Sequence, residues 1–471
     1  MIHRIKLFCF VLLLLACCAR AQEAAPSATE RLDRQFQAAV AQYESGRLPE
    51  AATALEVLLR EVPESFEVHE LLGMVYAAQS QDAKASTHLE KAVRLKPGSA
   101  SARMNLAINL VQLGKLQPAE AEFKKALELE PQNYDANHNL GELYVRAGKV
   151  AAAMPYLEQA QRINPSAYDN GYDLALAYIV TNRLLDARKL LQTLLKQKDS
   201  AELHNLLGEV EEKDGTFVAA ANEYELAAHL DPSEGNLFDW GSELLLHRTL
   251  DPAITIFEKA AERYPTSARM AIGLGIAYYS RGNYDNAVKS LLHAADLTPA
   301  DPRVYPFLSR ANDSSPSQAE EVIARFRRFA EQQPKNGRAQ YYYAMSLWKG
   351  KRAQDSSIDL AQIGALLHKA IALDPSLAEA HLQLGNLHSD QQKYLEAIPE
   401  YQRALELNSD LADAHYRLGQ AYVHTGEKDK AQEQLQVYQK LREQHLADLD
   451  KQRAEIRQFV YAAKDVQPGR P

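Results

Sequence analysis

The chain has 471 residues, 46% hydrophobic and 24% charged, with 53 Lys+Arg against 62 Asp+Glu and a formal net charge of −9. That length and apolar content exclude a disordered chain, and the acidic balance excludes a general nucleic-acid binder, which needs a basic surplus to neutralise phosphates. Cys9, Cys17 and Cys18 are the only cysteines and all lie near the start, so the remainder holds neither a disulfide framework nor a thiolate metal site.

The first element in chain order is an export signal. Arg4 and Lys6 precede an apolar run from Leu7 to Cys18, and Ala19, Arg20 and Ala21 form a small-x-small cleavage site before Gln22. The run is shorter than the roughly 20 apolar residues a membrane helix needs, and no later stretch approaches that length. The expectation is an exported protein with no membrane span, periplasmic or secreted, from a bacterial-type envelope. A second reading competes at the same place: Leu14, Leu15, Ala16 and Cys17 resemble the lipobox of bacterial lipoproteins, in which Cys17 becomes lipidated and tethers the chain to a membrane. Loss of Arg4, Lys6 and Arg20 with residues 1–21 takes the net charge from −9 to −12. Residues 22–31 read as a flexible linker.

From residue 32 onward the prolines set a period. Pro63, Pro97, Pro131 and Pro165 are 34 residues apart, and Pro232, Pro265, Pro299, Pro334 and Pro375 follow at spacings of 33, 34, 35 and 41. A period near 34 means a repeat array. In the stretch from Phe66 to Ser99 a small residue stands at place 8 (Gly73), an aromatic at place 11 (Tyr76), alanines at 20 and 27 (Ala85, Ala92), a bulky apolar at 24 (Leu89) and proline at 32. Apolar residues three and four apart make two amphipathic helices, small residues let them approach, and proline ends the second helix. Place 8 recurs as Gly141, Gly208, Gly241, Gly275, Gly385 and Gly419, and place 20 as Ala51, Ala119, Ala153, Ala187, Ala220, Ala253, Ala287, Ala397 and Ala431.

This pattern resembles the tetratricopeptide repeat, and the resemblance runs over nearly the whole chain after the export segment. It implies an all-α, right-handed superhelical solenoid of tandem helix-turn-helix repeats. Twelve repeats start near Leu32, Phe66, Ala100, Tyr134, Tyr168, Ala201, Glu234, Ala268, Arg303, Gly337, Ala378 and Ala412. Repeats 1–8 occupy 32–301. Repeat 9, at 302–336, is degenerate, with Pro306 inside its first helix and the turn-rich Asn312 to Ser317, and reads either as a joint between a front and a back array or as an ordinary worn repeat. Repeats 10–12 fill 337–445, with an insertion near 351–357. A helix over 446–464 is expected to cap the last repeat, and 465–471 reads as a tail.

Catalytic signatures are missing: no His-Glu-x-x-His, GxxxxGK[ST], G-x-S-x-G, G-x-G-x-x-G or calcium loop occurs, and the repeats leave no room for a separate catalytic domain. The expectation is a non-catalytic scaffold with no cofactor and no metal. His69, His204, His381 and His415 all fall at place 4 and read as packing residues.

In the family the first helix of each repeat lines a concave groove through places 2, 5, 9 and 12, where protein or peptide partners bind. Here those places include Asp135, Glu142, Asp169, Glu202, Glu209 and Glu212 in repeats 4–6. Repeat 8 supplies Arg269, Ile272, Ile276 and Tyr279, and repeat 10 supplies Arg338, Tyr341, Met345 and Trp348. Between Pro302 and Arg352 ten basic residues face four acids. The expected partner-binding set is therefore Ile272, Tyr279, Arg338, Tyr341, Met345, Trp348 and Arg352, facing an acidic protein or glycan. A component of polysaccharide or peptidoglycan assembly or export, touching glycan directly, is the alternative function.

Overall fold

The computed structural model of the protein describes residues 28–352 and 359–444, together with 456, 457 and 460; side chains are described for 28–349, 359–443 and those same three. The insertion near 351–357, most of the expected capping helix, Cys17 and the side chain of Arg352 lie outside that set. Among the described residues the chain is all α: 24 α-helices, one 3-10 turn at Pro316–Gln318, and no strand. Consecutive helices pair as antiparallel hairpins, for example Phe66–Ala78 with Asp82–Leu95 and Ala268–Arg281 with Tyr284–Leu297. The contacts divide the chain into two compact parts, one ending at Arg183 and one beginning at Leu184.

Each hairpin is built the same way. The polar last residue of the preceding repeat caps the first helix: the side chains of Ser65, Ser99, Asn133, Ser233 and Ser267 accept a bond from the amide three residues on. At place 15 the chain reverses through a left-handed backbone conformation, and glycine sits there at Gly114, Gly148, Gly215, Gly282 and Gly426. Ser80, Asn182, Arg248 and Gln392 occupy the same place with φ near 60° although they are not glycine.

The place-8 glycines fix how closely the two helices approach. A Cβ on Gly141 would stand 2.5 Å from the Leu157 side chain, and one on Gly385 would stand 2.6 Å from the Tyr401 ring. In each case the opposing residue is at place 24 of the same repeat, so the small-and-bulky pair read from the sequence is one contact.

Repeat 9 departs less than its sequence suggests. Its first helix begins at Val304, so Pro306 falls in the first turn, where no amide is needed for a helical bond. The turn-rich segment ends that helix at Ser314 and becomes the 3-10 turn. Tyr305, Phe326 and Phe329 from this repeat pack together, and one apolar cluster runs without a break from Ala228 to Leu387. The apolar core is continuous through 302–336.

Candidate functional site: the first-helix groove

Place 4 of the first helix shows how polar residues are used. His69 stands 3.1 Å from the Pro63 carbonyl and 3.0 Å from His88, and His415 stands 3.1 Å from the Ser409 carbonyl and 2.7 Å from Gln434. Arg103 repeats the arrangement, donating to the Pro97 carbonyl at 2.9 Å and to Glu122 at 2.6 Å. His204 lies 2.6 Å from Glu223, and His381 lies 2.7 Å from Glu400. Each of these five place-4 side chains therefore ties the first helix to place 23 of the second, and several also hold the turn from the preceding repeat. These histidines are braces. Among the described residues no three His, Cys, Asp or Glu side chains converge as a metal site.

A second set of bonds joins neighbouring repeats, and sequence spacing did not expose it. Tyr76 donates to Glu56, Tyr178 to Glu158 at 3.1 Å, and Tyr278 to Glu258. Each of these three place-11 tyrosines reaches a carboxylate 20 residues earlier, on the second helix of the preceding repeat. Burial and that carboxylate push the Tyr76 and Tyr278 hydroxyls up to about 12. The signal was present as a fixed 20-residue Glu-to-Tyr spacing.

In the part ending at Arg183 most groove places stay half-buried or exposed, with Ile179 at place 12 of repeat 5 buried. At places 5, 9 and 12, Met104, Ile108 and Val111 are half-buried, as are His138, Glu142 and Val145. Acidic groups gather on the first helices of repeats 4 and 5, Tyr134–Arg146 and Tyr168–Val180. Asp135 and Asp169 are exposed, Glu142 pairs with Arg146 at 2.5 Å, and half-buried Asp173 joins them. Burial raises the Asp173 carboxyl; nearby His138 offsets this, and the charges of Glu142 and Asp169 push it further up. Asp173 sits at place 6 and was missed because the family's groove places do not include it. His138 stands 3.2 Å from Asn170 and stacks on Tyr134.

In the part beginning at Leu184 the expected binding set fares differently. Ile272 is 1% exposed, Met345 4% and Trp348 4%, all inside the cluster that runs from Ala228 to Leu387. Tyr341 and Tyr279 are half-buried against it, and burial raises the Tyr341 hydroxyl. Arg338 remains exposed. Ile272, Met345 and Trp348 are thus buried in the core, while Tyr279 and Tyr341 keep part of their surface exposed. Part of the basic surplus is also paired internally. Arg303 pairs with Asp301 at 2.7 Å, Arg325 and Arg328 share Asp296 at 2.9 and 2.8 Å, and Lys349 pairs with Asp313 at 2.6 Å. Arg327 donates to the Tyr343 hydroxyl at 3.0 Å. Counting charges along the sequence could not show that Arg325, Arg328 and Lys349 take their counter-ions from other helices.

Repeated helical hairpins with braced turns and an open inner face define a class of protein, the all-α repeat scaffold, whose business is holding other proteins. Models of the tetratricopeptide repeat match residues 36–100, 104–168 and 238–302 in one case, 144–210 in a second and 413–445 in a third, and a TPR repeat model matches 385–426. The chain belongs to the tetratricopeptide repeat proteins, a fold that is generally a non-catalytic scaffold for protein or peptide partners. Similar solved structures include YrrB, a TPR protein with an unusual peptide-binding site, at 19% identity over 39% of this chain and 94% of that one, TM-score 0.37. Others are Naa15/Naa10 bound to HypK-THB, at 16% identity over 86% of this chain and 68% of that one, TM-score 0.38, and pilF of Pseudomonas aeruginosa, at 20% over 44% and 94%, TM-score 0.39. Comparison with curated proteins finds no match. Among the described residues no helix is long and apolar enough to cross a membrane.

Proposed function

We propose that this protein is an exported scaffold of the cell envelope that holds a basic segment of a partner protein in the groove of repeats 4 and 5. The supporting observation is the row of Asp135, Glu142, Asp169 and Asp173 on consecutive first helices, where burial and like charge raise the Asp173 carboxyl. A cationic side chain placed among these groups relieves their mutual repulsion, and the half-buried apolar places beside them supply contact area. Export rests on the basic, apolar and small-residue sequence over Arg4 to Ala21.

The test is binding of a fluorescent Lys- and Arg-rich peptide library to the full chain, followed by the Asp135→Asn, Glu142→Gln, Asp169→Asn and Asp173→Asn quadruple variant. The variant is expected to bind selected peptides about 10- to 100-fold more weakly, with a shallower dependence on salt. Equal affinity for both proteins, with matching circular dichroism, rejects the acidic groove. The mass of the mature N-terminus tests export: a chain starting at Gln22 supports cleavage after Ala21, and a lipidated Cys17 replaces it with an anchor.

A further inference from the structure

The brace between places 4 and 23 has a different chemistry in repeat 2. Arg103 meets Glu122, His204 meets Glu223, His381 meets Glu400 and His415 meets Gln434, so place 23 supplies an oxygen in each of these repeats. In repeat 2 it supplies a second imidazole: the Nδ1 atoms of His69 and His88 are 3.0 Å apart. A protonated ring opposite a carboxylate or an amide oxygen still has an acceptor, whereas two protonated rings at this distance set one N–H against another. The rest of the contact fixes which atoms carry hydrogen. Nε2 of His69 stands 3.1 Å from the Pro63 carbonyl, which can only accept, so Nε2 is the donor. In the neutral pair Nδ1 of His69 is then the acceptor and Nδ1 of His88 the donor. A first added proton, on Nε2 of His88, leaves that bond in place. A second has only Nδ1 of His69 to take it, and there it breaks the bond.

The surroundings favour the uncharged pair. His69 is buried and His88 half-buried, so two cations there would be poorly solvated. Lys84 and Lys91 flank His88 by one turn of its own helix, Asp82–Leu95. Glu64, in the preceding turn, is paired with Lys91 at 2.6 Å. Glu56, on the helix Leu48–Glu61, attracts a charged His88, but its carboxylate already accepts from Tyr76. From the following helix, Ala100–Gln112, the charged side chain is Arg103, which is bound to Glu122. Burial and the charge of His69 hold the His88 ring below the ordinary histidine value, with Glu56 opposing. The stability it contributes is therefore full above the unfolded value near ~6.5 and is lost as pH falls through the lower folded one. The Tyr76 ring stacks on His88 with centres 5.6 Å apart, and the same tyrosine carries the hydrogen bond to Glu56 of repeat 1.

We infer that repeat 2 is an acid-operated release point: double protonation of the His69–His88 pair parts its two helices and frees the Tyr76 bond to repeat 1, while the braces of repeats 3, 6, 11 and 12 hold. The pair shares one proton between its ring nitrogens until the second step, so the response is set by the pair and not by either ring alone. Opening is local, because each repeat packs chiefly on its neighbours. The device stands apart from the acidic groove of repeats 4 and 5, and its test uses no partner.

Hydrogen–deuterium exchange of the full chain, read by peptide mass spectrometry at pH ~7 and ~5 and corrected for the intrinsic rate, decides. Amides of residues 66–95 are expected to lose protection about 10-fold between the two conditions, and those of repeats 6 and 12 to keep theirs. His88→Gln gives repeat 2 the histidine-to-glutamine brace of repeat 12 and should hold its protection at both pH values. His69→Gln, whose amide can donate to Pro63 and accept from His88, should do the same. An acid loss of equal size in wild type and in these variants overturns the inference, as does a wild type that keeps its protection over 66–95. If one variant loses its helical signal at neutral pH, the other still decides. If both do, the wild type does, since acid loss that begins in another repeat also overturns the inference.

Discussion

At the scale of single residues, charge here is spent on holding helices together. Arg188 forks onto Glu211 at 2.6 and 2.9 Å and reaches Asp214 at 2.6 Å, while Glu211 is buried and also accepts from Thr216. The Arg188 guanidinium holds the Glu211 carboxyl below its ordinary value against the opposing effect of burial. Arg188→Ala leaves that carboxylate buried without its cation and should destabilise the protein by about 2–4 kcal/mol at neutral pH. The sign with pH follows from the depressed value. Stability from the pair is present above the ordinary carboxylate range and is lost as pH falls through the lowered folded value. The gap in urea midpoint between wild type and Arg188→Ala should therefore be widest near pH 7 and narrow on acidification. A gap that is constant from neutral to acid pH would exclude the ion pair as its source. Sequence reading had the place-4 histidines as packing residues, and the structure adds their hydrogen-bonding duty, which depends on a partner 19 residues away on another helix.

At the scale of the helical hairpin, local spacing carried most of the information. The place-8 glycines, the place-20 alanines and the prolines each answer to a contact or turn within one repeat, so a 34-residue pattern was enough to read them. Partner rigidity, which spacing does not encode, sets the cost of changing them. Gly385 faces the Tyr401 ring, whose hydroxyl is tied to Asn386 and Ser389 at 2.9 Å, whereas Gly419 faces the flexible Leu435 at 3.0 Å. Gly385→Ala should cost about 1–3 kcal/mol through overpacking. Gly419→Ala should fall within about 1 kcal/mol of wild type, because Leu435 can shift and alanine favours the helix. The turn at place 15 offers the opposite change. Gln392 holds φ at 60°, a conformation glycine adopts without a Cβ penalty, and Gln392→Gly should stabilise by about 0.5–1 kcal/mol. Thermal unfolding of the three variants side by side checks the order. Equal losses at Gly385 and Gly419 would remove partner rigidity as the cause.

At the scale of the whole molecule, the sequence put Ile272, Met345 and Trp348 at groove places but could not show that all three are buried in one apolar cluster that also holds Val460. Val460 is more than a hundred residues from each of them, and no local period links the two. The same scale governs the tyrosines, of which the sequence has 23. Tyr305 and Tyr401 are fully buried and Tyr76 nearly so, and burial pushes each hydroxyl up to about 12. A phenol raised in the folded state favours folding while it stays neutral. Its contribution is complete below the unfolded value near 10 and disappears as pH climbs through about 12, because the unfolded chain releases the proton first. The urea midpoint should therefore fall between pH ~10 and ~12, with tyrosinate absorbance rising in two stages: exposed tyrosines first, then a late fraction together with loss of helical circular dichroism. Tyr305→Phe should flatten the alkaline fall, since it removes one of the late protons while keeping the ring that packs on Phe326 and Phe329. If all the tyrosines titrated near pH 10 with the helices intact, the buried hydroxyls would have to be reached by water in the folded state. The packing described for repeats 2, 9 and 11 would then be too tight.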